Sequence, residues 1–214
     1  MNETIAVTNA AHALLDRHIA AAEGNEPAFK YVEKRYTFND LAAIANRTGN
    51  MLKQAGVKPG AAVLLAAPPS PAYAGTILGA MKIGAWAAVL EGAVDAARLS
   101  SAARAASPVL TIVHQNNVGA ISGAALGVGV VVIGAAGPEH KSFVDLIREQ
   151  ASSLAVATVS ESATALAVFD NAKMHTISHR DLARDLASPE GASAASTALA
   201  LLRALAQGRE FALA

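Results

Sequence analysis

The stretch AVLLAAPPSPAYAGTILGAMKIGAWAAVL, Ala62 to Leu90, decides how this chain folds. Ala62 to Ala66 is a short, unbroken apolar run, which suits a strand buried on both faces. Pro68, Pro69 and Pro71 interrupt it, and proline fits the first turn of a helix but not its interior. The spacing predicts a helix from Pro71 to Ile83 and a second strand from Ala85 to Leu90. Neither strand alternates apolar with polar residues, so both faces of the sheet are expected to be covered.

The same rhythm continues downstream. Helix Ala93 to Ala106, strand Val109 to Val113 and a helix near Val118 to Leu126 are expected, then strand Val128 to Ile133, helix Phe143 to Ala151 and strand Ala165 to Phe169. Right-handed crossovers turn such a series into an α/β fold with a doubly wound, mainly parallel sheet flanked by helices. Upstream, Ala11, Leu14, Leu15, His18 and Ile19 fall on one helical face, and Glu23 to Pro27 ends that helix. Ala28 to Phe38 reads as a hairpin around Glu33-Lys34, and Thr37 or Asn39 can cap a helix from Asp40 to Gln54. Residues 1–187 are read as one α/β domain. Ser188 to Ser193 reads as a linker, and residues 188–214 as that linker plus an amphipathic helix from Ser196 to Phe211. Leu199, Leu201, Leu202 and Leu205 make that helix too apolar to lie free in water, so it should pack on this chain or a neighbour.

Composition excludes several functions. Of 214 residues, 17 are Lys or Arg and 17 Asp or Glu, and cysteine is absent. Disulfides, thiolate metal sites and a cysteine nucleophile are therefore impossible. Charge balance and 4% aromatic content oppose nucleic-acid binding, which needs a cationic face and stacking platforms. Alanine supplies close to a quarter of the residues, which favours helices and lets them pack closely. Val118 to Gly137 runs without a charge for the length of a membrane span and carries GxxxG spacing at Gly119, Gly123 and Gly127. Its Gly-Val-Gly followed by β-branched residues reads instead as a turn and a strand. With no signal-like N-terminus, a cytoplasmic protein without membrane or nucleic-acid partners is expected.

Three further stretches carry a resemblance. LLDRHIAAAEGNEPAF (Leu14 to Phe29), YTFNDLAAIANRTGNMLKQAGVKPG (Tyr36 to Gly60) and VLLAAPPSPAY with TILGAMKIGA (within Val63 to Ala85) resemble, in order and spacing, the N-terminal part of acyl- and aryl-CoA ligases of the adenylate-forming superfamily. They are most similar to the benzoate-CoA ligase branch, and the resemblance covers residues 10 to 185. It implies chemistry in which ATP, with Mg, makes an acyl-adenylate and coenzyme A receives the acyl group. It also implies a Gly-rich loop ending in Pro-Lys-Gly, followed by a Thr/Ser-His pair, whose amides and lysine grip the polyphosphate.

The expected place for that loop reads AVFDNAKMHTISHRDL, Ala167 to Leu182. Ser178-His179 matches the pair after the loop. Only Asp170, Asn171 and Ala172 stand where the loop belongs, Lys173 corresponds to its lysine, and Met174 replaces the glycine after it. A segment without glycine adopts positive φ poorly, and Asp170 opposes an approaching phosphate. Losing three charge-assisted hydrogen bonds removes about 4–9 kcal/mol, or roughly 10³–10⁶ in affinity. The vestigial region is therefore Asp170 to Met174 with Ser178 and His179, and no catalytic residue is assigned. Against the family the chain reads as truncated, lacking the adenine-binding strands, the ribose-binding aspartate and the domain with the catalytic lysine.

The expected role is that of an incompetent ligase homologue, without cofactor, acting through a homo-oligomer or protein partner at a face bared by truncation. The other reading is an acyl, aryl or nucleotide-binding module, or one part of a split ligase completed in trans. Local alternatives are weaker. His175 and His179 at i, i+4 have no accompanying HExxH, and surface or satisfied histidines are the simpler reading. Gly127-x-Gly129 precedes a strand and so does not match a dinucleotide fingerprint. Asp16 with His18, and Asp181 with Arg180 and Arg184, read as helix-surface charges, while Tyr73 and Trp86 read as core or interface residues.

Overall fold

The computed structural model describes residues 9–170, 173–187 and 196–212. A π-helical turn, His12–Asp16, runs into α1, Arg17–Ala20. The hairpin β1, Pro27–Tyr31, and β2, Lys34–Thr37, leads to α2, Phe38–Gln54. Thr37 and Asp40 start α2 reciprocally: Thr37 Oγ1 accepts from the Asp40 N–H at 3.2 Å, and Asp40 Oδ2 accepts from the Thr37 N–H at 2.9 Å. Then come β3, Ala62–Ala66; α3, Pro71–Lys82; β4, Trp86–Val89; α4, Ala96–Ala106; and β5, Leu110–His114. A short 3₁₀ turn precedes α5, Val118–Ile121, followed by β6, Gly129–Ile133, β7, Lys141–Ser142, and α6, Phe143–Arg148. The described chain ends with β8, Thr164–Asp170; β9, Lys173–Ser178; α7, His179–Ala187; α8, Thr197–Ala206; and β10, Phe211–Ala212.

The main sheet has the order β7-β6-β5-β3-β4-β8-β9, parallel throughout except for the antiparallel β8–β9 pair. β4 lies on one side of β3 and β5 on the other, so the chain reverses direction across the sheet there. Right-handed crossovers then place successive helices on opposite faces. The two cores show this: Val63, Leu65, Ala87 and Val89 pack with α2 and α3, while Leu64, Ala66, Ala88 and Leu90 pack with α4. Alternate residues of each strand thus serve alternate cores, which is why the strands read as continuous apolar runs. At α2–α3 the backbones nearly touch. A Cβ on Gly79 would lie 2.7 Å from the Ala45 carbonyl oxygen and 2.9 Å from the Gly49 nitrogen.

Several sequence expectations are corrected. The helix expected from Val118 to Leu126 ends at Ile121, while the same uncharged run forms strand β6 as read, and no described helix is long and apolar enough to cross a membrane. The C-terminal helix stops at Ala206 rather than Phe211, because Gly208 turns the chain at φ +65°. Phe211 instead belongs to β10, which pairs parallel with β1 to make a second sheet, β10-β1-β2. β9 was not expected as a strand. Ile19 is 37% exposed and falls off the buried face that Leu14, Leu15 and His18 share.

Asp16 and His18 are not surface charges either. Asp16 Oδ1 accepts from Lys82 Nζ at 2.6 Å, and that lysine is itself buried and also donates to Asn46 Oδ1 at 2.7 Å. His18 is buried between Glu23 and the carbonyl of Leu205. Both departures have one cause: the turn that carries them packs against α2 and α8 and meets Lys82 at the end of α3 instead of facing water. By contrast Arg180–Glu161 and Arg184–Asp181 are exposed pairs, and Tyr73 is a core residue.

Candidate functional site

In an open α/β sheet the natural ligand crevice lies beyond the carboxyl ends of the strands, where the strand order reverses. Here that place is the mouth of β3, β4 and β5. Its floor is made by Ala67 to Pro69 after β3, Leu90 to Gly92 after β4, and His114 with Asn117 after β5, enclosing about 300 Å³. Asn117 Nδ2 donates to the Ala66 carbonyl at 2.9 Å and so ties the β5 exit to the end of β3. His114 Nδ1 accepts from the Asn116 N–H at 3.3 Å.

Glu91 is the central polar group. Its carboxylate accepts from the Tyr73 hydroxyl at 2.9 Å, from the Thr197 N–H at 3.1 Å, from the Ala198 N–H at 2.7 Å and from Ser196 Oγ at 3.4 Å. Burial, and secondarily the Glu91 charge and hydrogen bond, push the Tyr73 hydroxyl above its ordinary value, so it stays protonated and donates. The carboxylate at the crevice is therefore occupied by the first turn of α8, and Thr197 forms part of the crevice wall. The sequence reading missed Glu91. A carboxylate placed directly after a fully apolar strand was the available signal, since such a strand ends at the rim of the sheet.

The region assigned from the resemblance lies one strand further out. β8 and β9 stay in antiparallel register as far as Asp170↔Lys173, so residues 171 and 172 alone connect them. Asn171 and Ala172 lie outside the described residues. Lys173 is exposed, and Met174 packs against the α4-side core. Ser178 caps α7: its Oγ accepts from the Asp181 N–H at 3.1 Å and donates to Asp181 Oδ2 at 2.7 Å. His179 is buried, and its Nδ1 accepts from the Ala10 N–H at 3.0 Å. Burial lowers its pKa to about 4. It is neutral at pH 7, with Nε2 buried and unpartnered. His175 sits exposed on β9, so the two histidines share no helical face. Among the described residues, no three His, Asp or Glu side chains converge as a metal site.

Residues 16–188 match the family model described as AMP-binding enzyme. The chain is similar to acetyl-coenzyme A synthetase of Bacillus subtilis (strain 168), with 38% identity over 96 residues, 40% of this chain and 17% of that protein. It is also similar to 3-hydroxybenzoate–CoA ligase of Aromatoleum sp. (strain CIB), with 38% identity over 82 residues, 38% of this chain and 16% of that protein. The match thus spans less than a fifth of either relative. Among solved structures, the luciferase-like enzyme of the mealworm Zophobas morio superposes with a TM-score of 0.81 at 13% identity, covering 98% of this chain and 55% of that one. That likeness shows the fold.

Proposed function

The chain belongs to the AMP-binding enzyme family, and from that premise we propose that it is a catalytically incompetent homologue of AMP-forming acyl- and aryl-CoA ligases, acting through protein contacts. The observation that carries this reading is the β8–β9 register, which leaves two residues as the whole connection. A triphosphate grip needs several amides turned toward one point, and such nests use a longer loop with residues at positive φ. Lys173, already paired in the strand ladder, is exposed beside that connection. His179, part of the vestigial motif, is spent on the Ala10 amide. These residues do not fit ATP with Mg, and no chemical step is derived through them.

Calorimetry with ATP, AMP, benzoate and coenzyme A, together with a hydroxamate assay for acid plus ATP, tests the proposal. Expected are no hydroxamate and no nucleotide binding tighter than about 1 mM. Micromolar ATP affinity, or any ATP-dependent hydroxamate, overturns it. A second reading, a module that binds an acyl or aryl acid or a nucleotide and is completed in trans by another chain, is favoured by the crevice of about 300 Å³ at the β3–β5 switch point. Saturable benzoate binding without turnover would support that reading. Self-association or a separate protein supplies the contacts in the first reading; light scattering that shows a monomer at all concentrations leaves only the separate protein.

A further inference from the structure

The crevice beyond β3, β4 and β5 is apolar over much of its lining, through Pro68, Pro69, Leu90 and Val94. Among the described residues that line it there is no lysine or arginine, and Glu91 is the one carboxylate. A bound carboxylate or phosphate would meet that anion with no cation to offset it. The volume of about 300 Å³ stands at the small end of ligand pockets, with room for a single substituted ring.

The polar groups left at this crevice have fixed roles. His114 Nδ1 accepts from the Asn116 N–H, so the neutral ring carries its proton on Nε2, which has no partner among the described residues. Asn117 gives its Nδ2 to the Ala66 carbonyl, an oxygen that can only accept. Asn117 Oδ1 is thereby left to accept, again with no partner among the described residues. Glu91 Oε2 takes one amide, from Thr197 at 3.1 Å, where a carboxylate oxygen has lone pairs for two donors.

One donor and two acceptors therefore remain around an apolar space. An ionised acid presents only acceptors, so Asn117 and Glu91 would face it lone pair to lone pair. An amine or amidine presents only donors and leaves the His114 N–H unmatched. A primary carboxamide presents both: a carbonyl oxygen for His114 Nε2 and an NH₂ for Asn117 Oδ1 or Glu91 Oε2. A flat ring behind that head suits the proline and aliphatic side chains.

We infer that the crevice is a binding site for a small aromatic carboxamide, read by His114 as donor and by Asn117 and Glu91 as acceptors. This ligand follows from the crevice alone and depends on neither reading of the chain's role given above. It differs from the acids and nucleotides of ligase chemistry by carrying no charge and by offering a donor.

The test is a titration of the full ¹⁵N-labelled chain with benzamide and, separately, with benzoate and benzamidine. Benzamide is expected to bind with a Kd of about 1 mM or tighter, and each of the other two about 10-fold more weakly or worse. Shifts should centre on the amides of Leu90, Gly92 and Asn116 and on His114 Nε2. Val94→Phe fills the crevice and should abolish binding. His114→Leu removes the donor and should weaken benzamide about 10-fold; urea unfolding of both variants checks that each is folded. Benzoate binding as tight as benzamide overturns the inference and favours the acid-binding module instead. Benzamide binding that the folded variants leave unchanged also overturns it, as does the absence of any shift up to about 10 mM. The hydroxamate assay reports on ligase competence separately, so either result can fail without the other.

Discussion

The α2–α3 pair and the seat of α8 are both helix contacts on the same core, yet they are built from different materials. α2 meets α3 through Gly49, Gly75 and Gly79, where an added carbon would meet the Ile44 side chain at Gly75 and backbone atoms of Ala45 and Gly49 at Gly79. One polar contact crosses the interface, from Lys82 of α3 to Asn46 of α2 at the end of the pair, and along the rest shape sets the register. α8 buries Ala198, Leu201, Leu202 and Leu205, but its position along its axis is set by Glu91 at one end and by His18 and Arg17 at the other. The N-terminal segment is pinned in the same way: the Asn9 side chain donates to the Met81 carbonyl at 2.7 Å, Ala10 donates to His179, and Asp16 accepts from Lys82. The contrast teaches that the centre of this fold resists changes of volume, whereas its sequence termini resist changes of charge state.

The most damaging test of that contrast is Gly79→Val. The obstructing atoms belong to the backbone of Ala45 and Gly49 and cannot rotate away, so the variant should lose about 3 kcal/mol or more in urea unfolding. A loss under about 1 kcal/mol would show that α2 and α3 separate freely and that the shape argument is wrong. The pH test comes next. His179 has a pKa of about 4 in the fold against 6.5 for the free ring, so between those values the unfolded chain binds a proton that the folded chain refuses. Its contribution is unchanged above pH 6.5, declines as pH falls toward 4 and then levels, for a total of about 3 kcal/mol. Melts in acid and at neutral pH should show a shallower decline in His179→Gln than in the parent; equal slopes would remove this residue from the account. The smallest expected effect is Glu91→Ala, which orphans the Tyr73 hydroxyl and two α8 amides and should cost about 2 kcal/mol. Its mark should be faster amide exchange in α8 with β3 unaffected. Uniform acceleration across the sheet would instead make α8 part of the central unit.

The centre of the molecule is the part most legible from residues alone. Val63 to Leu65, Ala87 to Val89 and Leu110 to Val113 are buried on both faces, so hydrophobicity by itself marks them as strands. Thr37 marks a helix start because its oxygen accepts from an amide three residues ahead, a contact that local sequence contains; Asp95 caps α4 in the same way, although the reading began that helix at Ala93. β9 escaped notice because Lys173, His175 and Thr176 are exposed at the edge of the sheet and carry no apolar pattern. β10 escaped because two residues beyond a glycine hold no periodicity, and Phe211 looks equally like the end of a helix. At the candidate site, the absence of glycine between Asp170 and Met174 was readable. What Glu91 binds was not, because its partners at the start of α8 lie 105 to 107 residues away.

The sequence by itself determined the α/β class, the strand–helix rhythm from Ala62 to Phe169, the family and the shortened segment at residues 170–174. Each of these depends on residue type and near-neighbour spacing. Only the tertiary structure decided that His18 is buried and Asp16 paired with the buried Lys82, that His179 faces the N-terminal segment rather than the β8–β9 connection, and that Glu91 seats α8 at the crevice. Those outcomes depend on which distant groups arrive beside a polar atom once the chain is packed. Burial then fixes their consequence, because an atom removed from water must find a partner or change its proton.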